Sequence, residues 1–489
     1  MMRMLRFRLF LPCLLLLSAP ALHGQRDTLL KTRLILSDTL QASGIRLPKW
    51  NPPYSAAGLE QFAEEMLVCL ENHGHPFAEV RLLRPDSTRT TAVQVIANPF
   101  IRWDSIVLKG DLRLSPRFLY PYLKIKRGQP YRESAVKQAA EALQGLPYAE
   151  AVRQPSPSFT SDAAALYLYL NKRPANLFDG FAGFGTDASG KGLTLYGQLL
   201  FQLHNALGHG EFFSVDWKHP QPEDQQLVTK TSYPCLFGTA FGLYGEFSLL
   251  KKDSSYHKVS IPAGFRYLLK GNDFLQIYYR YERCHTPGTA AATPDQTDYR
   301  SDTYGLRYEA SHTDRPRIPH KGYRIGIQGE LGIKKESGGS GGRTVGRTTG
   351  EWEGFLPMFT RWTLYSRLCA GAIADAQPAY SDLFLLGGLR SLRGLEEQSL
   401  PASAYAILTE EIRFFIDKNM FLQLFADGGW YERQLPGGYS NGFPVGCGIG
   451  FSFDSKVGLL SLNYAVAAHD GQGFQLRAAK VCVGYSAVF

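Results

Sequence analysis

From residue 177 onward, apolar side chains recur at every second position. Leu193, Leu195, Leu199, Phe201 and Leu203 alternate with Thr194, Tyr196, Gln198 and Gln202. Val259, Ile261, Ala263, Phe265 and Tyr267 alternate with Lys258, Ser260 and Arg266, and Leu275, Ile277, Tyr279 and Tyr281 with Gln276, Arg280 and Glu282. Further copies run through Phe213–Trp217, Tyr304–Ser311, Tyr323–Ile333 and Leu460–Val466. Period two predicts strands whose faces meet different surroundings. About sixteen such segments can be placed, the even count a closed membrane barrel requires. Their connections alternate in length. Lys270–Asp273, Phe359–Arg361, Asp417–Asn419 and Asp454–Lys456 are short; His219–Gln225, Cys284–Arg300, Lys334–Gly350, Ala374–Ser403 and Gly428–Asn441 are long. Short periplasmic turns and long outer loops produce that rhythm, whereas a soluble sandwich has no reason to.

The last ten residues extend the pattern to the terminus. Val481, Val483, Tyr485, Ala487 and Phe489 share one face; Lys480, Cys482, Gly484 and Ser486 share the other. An apolar final strand would be an aggregation-prone edge in a soluble domain. In a barrel it pairs with the first strand. Arg266, Arg280, Arg307 and Arg324 fall on the polar parity, and each would cost roughly 2–4 kcal/mol facing lipid at the bilayer midplane. They are therefore expected in the lumen or near an interface.

Composition narrows the class. The 489-residue chain allows two to four domains. Arg3, Arg6 and Arg8 precede an apolar run from Leu9 to Leu17 and then small residues, the form of a secretion signal over 1–24. No later stretch approaches the length of a membrane helix, and the mean hydropathy is −0.19. Cys69, Cys235, Cys284, Cys369, Cys447 and Cys482 are scattered, which indicates neither a zinc site nor a disulfide framework. The net charge of +9 comes without a basic run, so it suits a charged lumen or lipopolysaccharide contact better than nucleic acid. No nucleophile–base pair, metal-ligand cluster or phosphate-cradling loop stands in a suitable context, so neither an enzyme nor a cofactor is expected.

Residues 100–174 read as β-α-α-β-β. A strand covers Ile106–Gly110; Ser115 caps a helix with Phe118, Leu119, Tyr122 and Leu123; a second helix spans about Glu133–Leu146. Strands near Ala149–Arg153 and Ala164–Leu170 follow. With its Gly-x-Pro-Tyr turn at Gly128–Tyr131 and its Leu-x-x-Leu-Pro-Tyr exit at Leu143–Tyr148, this region resembles a polypeptide-transport-associated (POTRA) domain. Residues 25–99 look like a less regular copy, best in a helix capped by Ser55 and carrying Leu59, Phe62, Met66, Leu67 and Leu70.

The longest outer loop contains Phe384-Leu-Leu-Gly-Gly-Leu-Arg-Ser-Leu-Arg-Gly-Leu395, followed by Glu411-Ile-Arg413 and Phe425-Ala-Asp427-Gly-Gly429. In this order, after a turn at Asp314–Gly322, these segments resemble the loop-six and inner-wall motifs of the BamA/TamA-type outer-membrane insertases. The resemblance implies a mainly β protein: a 16-stranded antiparallel transmembrane barrel (175–489) behind two small α+β periplasmic modules. It implies that the loop folds inward and that Arg393, beside Gly394 and Leu395, bonds Glu411 and Asp427. A guanidinium gives a rigid donor fork that serves two carboxylates together better than Lys does. Leu395 stands where the family usually has an aromatic. Gly180, Gly183 and Gly185 in the first barrel strand, with Gly484 in the last, suggest a weak seam. Gly484, Ala487 and Phe489 resemble the C-terminal barrel-recognition signal.

The expected work is to insert or translocate polypeptides at the outer membrane without nucleotide. Unfolded outer-membrane or secreted polypeptides are the expected clients; lipids, lipopolysaccharide and periplasmic or lipoprotein partners would surround the protein. A two-partner-secretion transporter of one exoprotein is the nearest alternative, although the stretch Gln25–Thr32 leaves little room for the plug helix usual there. A passive pore is another, and would leave the N-terminal third unexplained.

Overall fold

The computed structural model describes residues 31–487 except 38–39, 41–43, 84–89, 187–192, 222–223, 253–255, 288–297, 316–317, 338–340, 390, 397, 456–457, 470–472 and 475–478. The expected signal segment, residues 1–24, and Phe489 lie outside the described residues. The chain divides into two compact units, residues 1–99 and 100–489.

In the first unit, β1 (Lys31–Leu36), α1 (Ala56–Glu71), β2 (Glu79–Leu83) and β3 (Thr90–Ile96) form a three-stranded sheet of order β1-β3-β2 beside one helix. The Ser55 hydroxyl accepts from Gly58 N (3.1 Å), satisfying an orphan donor of the first turn. Leu59, Phe62, Met66 and Leu70 recur at helical spacing and are buried with Val93 and Val95. Residues 44–53, interrupted by Gly44, Pro48, Pro52 and Pro53, form no helix. Trp50 from this stretch packs edge-on against Phe62 (centroids 4.9 Å).

The second unit begins with a module of β4 (Arg102–Lys109), α2 (Pro116–Tyr122), α3 (Glu133–Gln144), β5 (Ala149–Phe159) and β6 (Ala163–Lys172), its sheet ordered β4-β6-β5. Strand β4 runs parallel and β5 antiparallel to β6. Trp103, Phe118, Tyr131, Leu143, Leu166 and Leu168 are among its core residues. Strand β5 is longer than the expected Ala149–Arg153. It passes through Pro155 and Pro157 with register shifts after Ala151 and Arg153, which an edge strand tolerates because one side of its backbone needs no partner.

The remaining strands form the barrel. They are β7 (Leu177–Thr186), β8 (Leu193–His204), β9 (Phe212–Gln221), β10 (Asp224–Tyr233), β11 (Phe241–Lys252), β12 (Tyr256–Lys270), β13 (Asp273–His285) and β14 (Tyr299–Thr313). Next come β15 (Gly322–Glu336), β16 (Gly342–Phe359) and β17 (Trp362–Ala374), then a small hairpin of β18 (Phe384–Leu386) and β19 (Leu400–Ala402). The wall resumes with β20 (Ala404–Asp417), β21 (Met420–Leu435), β22 (Gly438–Gly442), β23 (Val445–Ser455), β24 (Gly458–Ala468) and β25 (Lys480–Ala487). The sheet is closed, β25 lying between β24 and β7. Strand β22 pairs with Tyr431–Leu435 and β23 with Met420–Gly428, so both occupy one position beside β21. The wall among the described residues therefore has the sixteen expected positions.

Three expected outer loops are mostly hairpin. His219–Gln225, Lys334–Gly350 and Gly428–Asn441 narrow to short turns because β9–β10, β15–β16 and β21–β22 continue pairing. A ladder needs only backbone groups, so it persists where the apolar alternation that marks a membrane strand has faded.

The two parities separate as the arginines require. Along β21, Phe421, Gln423, Phe425 and Asp427 are buried, while Leu422 and Leu424 are exposed on the outer face. Inside, Arg266 donates to Gln276 Oε1 (2.7 Å) and lies between the rings of Tyr244 and Phe274. Arg280 pairs with Glu330 (2.8 Å), Arg324 with Glu353 (3.2 Å) and Arg307 with Glu309.

Candidate functional site: the inward loop and the docked module

Between β17 and β20 the chain turns into the barrel. Gly387 and Gly388 take φ of +105° and +92°, a region open to glycine. Gly387 N donates to Ser391 Oγ (2.8 Å), tightening the turn that delivers Arg393. Leu386, Leu392 and Leu395 pack with Ala402, Ile407 and Tyr431, so the loop has an apolar foot on the wall of β20 and β21. Leu395 is buried there, filling its place without an aromatic ring.

That foot aims Arg393 at both carboxylates. Nε donates to Asp427 Oδ2 (2.8 Å), Nη2 to Asp427 Oδ1 (2.7 Å) and Nη1 to Glu411 Oε1 (2.6 Å). The Arg393 backbone N–H adds a bond to Asp427 Oδ2 (3.0 Å). Asp427 is only 1% exposed, so these donors replace nearly all its water. The guanidinium carbon lies 3.6 Å from the Phe425 ring centroid. Gly394 has φ +93°, and a Cβ there would stand 2.7 Å from the carbonyl carbon of Val466. A Cβ on Gly446 would stand 2.2 Å from Arg393 O. These contacts place the loop tip against β20, β21, β23 and β24.

Three further residues complete this cluster, of which Thr409 and Gly446 escape a sequence reading. Thr409 Oγ1 donates to Asp427 Oδ1 (2.8 Å), Arg413 Nε donates to Glu411 Oε2 (2.8 Å), and Gly446 admits the Arg393 carbonyl. Glu411 and Arg413 do stand two apart on one strand face, a spacing that signals the second pair.

At the seam, Gly183 and Gly185 pair with Tyr196 and Thr194 of β8. Gly180 is held by close approach, since its Cβ would meet Gln198 O at 2.7 Å. On β25, Gly484 pairs with Ser461 and Ala487 with Gly458.

At the opposite end, the module of residues 101–173 docks on three turns. Ser115 N donates to Gly208 O (2.7 Å), and Asn205 Nδ2 to Arg113 O (3.0 Å). Asn272 Nδ2 donates to Gly145 O (2.7 Å), while the Tyr122 hydroxyl lies 2.8 Å from Asn272 Oδ1 and 2.9 Å from Ala142 O. Burial, with Tyr148 and Cys235 adding to it, pushes the Tyr122 phenol well above its ordinary pKa and keeps it a neutral donor. Cys235 and Leu268 of the barrel join the module's core. Between module and wall lies a cavity of about 600 Å³, lined by Phe118, Tyr148, Arg266, Phe274, Glu309 and Arg324 among others.

A closed wall with a polar interior, a loop bonded inside it and a docked α+β module together define an outer-membrane barrel with a periplasmic domain. Comparison with known proteins agrees. Residues 205–480 match the Omp85 superfamily domain, and residues 101–173 match POTRA, the surface antigen variable number repeat. The chain belongs to the Omp85 superfamily; it resides in the outer membrane, with its POTRA domain in the periplasm.

Among solved structures it is similar to CdiB from Escherichia coli, with TM-score 0.63 and 16% identity over 96% of this chain and 93% of that one. CdiB from Acinetobacter baumannii gives 0.59 and 13%, over 94% and 89%. BamA from Haemophilus ducreyi lacking POTRA domains 1–3 gives 0.48 and 15%, over 94% and 99%. At these identities the CdiB likeness speaks to the fold alone. No curated protein matches.

Proposed function

We propose that this protein moves unfolded polypeptides into or across the outer membrane, using conformational and binding energy rather than nucleotide. The observation that carries the reading is the pairing of a loop bonded inside a polar barrel with a periplasmic module fixed to that barrel's turns. A passive pore needs no such module. The first unit supports a further part of the reading: its sheet order β1-β3-β2, with one parallel and one antiparallel neighbour, repeats that of β4-β6-β5. We take it as a second periplasmic module, giving domains over 25–99, 100–174 and 175–489. Arg393, Glu411 and Asp427 would set the loop's position, and the β25–β7 junction would be where a client strand gains access.

Photocrosslinking from residues in 101–173 and in β7, in cells, tests this. Capture of nascent barrel proteins supports insertion, and capture of one large secreted protein supports export. Capture of no polypeptide from any position would remove the proposal in favour of a pore.

A further inference from the structure

The loop that carries Arg393 has a second attachment, built from different residues on another part of the wall. Asp375 and Asp382 flank a short turn just after β17, and Lys334 of β15 reaches both, at 3.4 Å from Asp375 Oδ2 and closer still to Asp382. The Lys334 side chain is 2% exposed and sits 4.1 Å from the Tyr299 ring centroid. Arg343 of β16 donates through Nε to Asp375 Oδ1 (2.6 Å) and through Nη2 to Gln377 O (2.6 Å). Arg347 Nη2 donates to Asp382 O (2.9 Å), and its guanidinium lies 4.3 Å from the Phe384 ring centroid. Lys258 of β12 donates to Ser381 O (2.6 Å). Four cations on three strands thus hold one turn of the loop.

The placement of the two attachments gives them separate roles. Lys258, Lys334 and Arg343 stand within three residues of the outer ends of their strands, so this attachment lies at the outer rim. Glu411 stands seven residues in from the outer end of β20, so the Arg393 cluster lies deeper. The rim attachment uses β12, β15 and β16; the deep one uses β20 and β21, with Gly394 against β24 and Glu396 paired to Lys480 of β25 (3.1 Å). The two attachments thus sit on different stretches of the wall. Leu385, Leu386 and Ser391 share with Arg307, Glu309 and Arg367 the lining of a cavity of about 380 Å³.

We propose that Lys334, Arg343, Arg347 and Lys258 form a rim anchor that acts with the Arg393 cluster to hold loop residues 375–403 across the lumen, closing the outer mouth. Losing the rim anchor alone leaves the tip bonded but lets the stem swing, so ions pass. A buried lysine between two carboxylates suits this use, because removing its charge takes the ion-pair partner from Asp382 and leaves Asp375 to Arg343 alone, which drives Asp382 toward water. These are positioning residues.

The test uses the full-length protein folded into planar lipid bilayers, with single-channel conductance as readout, Lys334→Met and Arg343→Gln as variants, and heat-modifiable migration as the measure of a formed barrel. The expected result is an at least fivefold rise in open time for both variants, with migration unchanged. Trypsin added from the outer side should also cleave within 375–403 faster than in the unmodified protein. Folded variants with unmodified conductance and cleavage would overturn the proposal. If neither variant forms a heat-modifiable barrel, the network serves barrel assembly and the proposal likewise falls. Conductance needs no client, so the result stands apart from the question of cargo.

Discussion

The ring of Phe425 lies directly beneath the guanidinium of Arg393, while Asp427, two residues further along the same strand face, accepts three of that residue's N–H groups. An aromatic and a carboxylate sharing one inward parity is what permits a single cation to be stacked and bonded at once. Arg393→Ala removes both and leaves Asp427 buried without a cation. The expected cost is about 3–5 kcal/mol, read as a lower temperature for loss of heat-modifiable migration. Arg393→Lys should recover little, because an ammonium lacks the planar fork. Full recovery by Lys would show that charge alone matters. Phe425→Leu should cost less, on the order of 1–2 kcal/mol.

Gly394→Ala should mimic part of that loss without touching a charge. Its φ of +93° already disfavours a side chain, and the new carbon would collide with the β24 backbone. Gly428→Ala is the matched control, since no neighbouring atom lies within 4 Å of its added carbon. Equal melting of the two variants would contradict the assigned loop position.

Leu424→Arg tests the outer face. Leu424 is 59% exposed on the parity opposite Gln423 and Phe425. Facing hydrocarbon, the substitution should cost roughly 2–4 kcal/mol, measured by denaturant titration of the protein folded in lipid vesicles. A cost under about 1 kcal/mol would place this residue near an interface.

Asn272→Ala should loosen the module while leaving the wall intact. It removes the donor to Gly145 O and the neighbour of the Tyr122 hydroxyl. Losing about 1 kcal/mol of docking should speed hydrogen exchange roughly fivefold in residues 134–148, with β12 and β13 unchanged. Uniform exchange changes across both regions would indicate global destabilisation instead.

The barrel was legible because most of its strands report two environments residue by residue. Leu422 and Leu424 against Gln423 and Asp427 is a signal that needs no partner strand to be known. Strand length was less legible: Arg343–Gly350 carries no apolar stripe, yet its backbone pairs throughout. The Arg393 cluster could be named only through its resemblance to a known loop motif. The rim contacts of Lys334 join residues 41 and 48 positions away, and Asn272 reaches Gly145 across 127. No local periodicity encodes such distances; closure of the cylinder does.

Cys235 belongs by chain position to a barrel turn and by burial to the core of the preceding module. The module's interior is thus finished with material delivered only after its own polypeptide has ended. A fragment cut at residue 174 would carry an apolar dimple where Cys235 and Leu268 belong, and its maturation in the full chain waits for the hairpins that bring them.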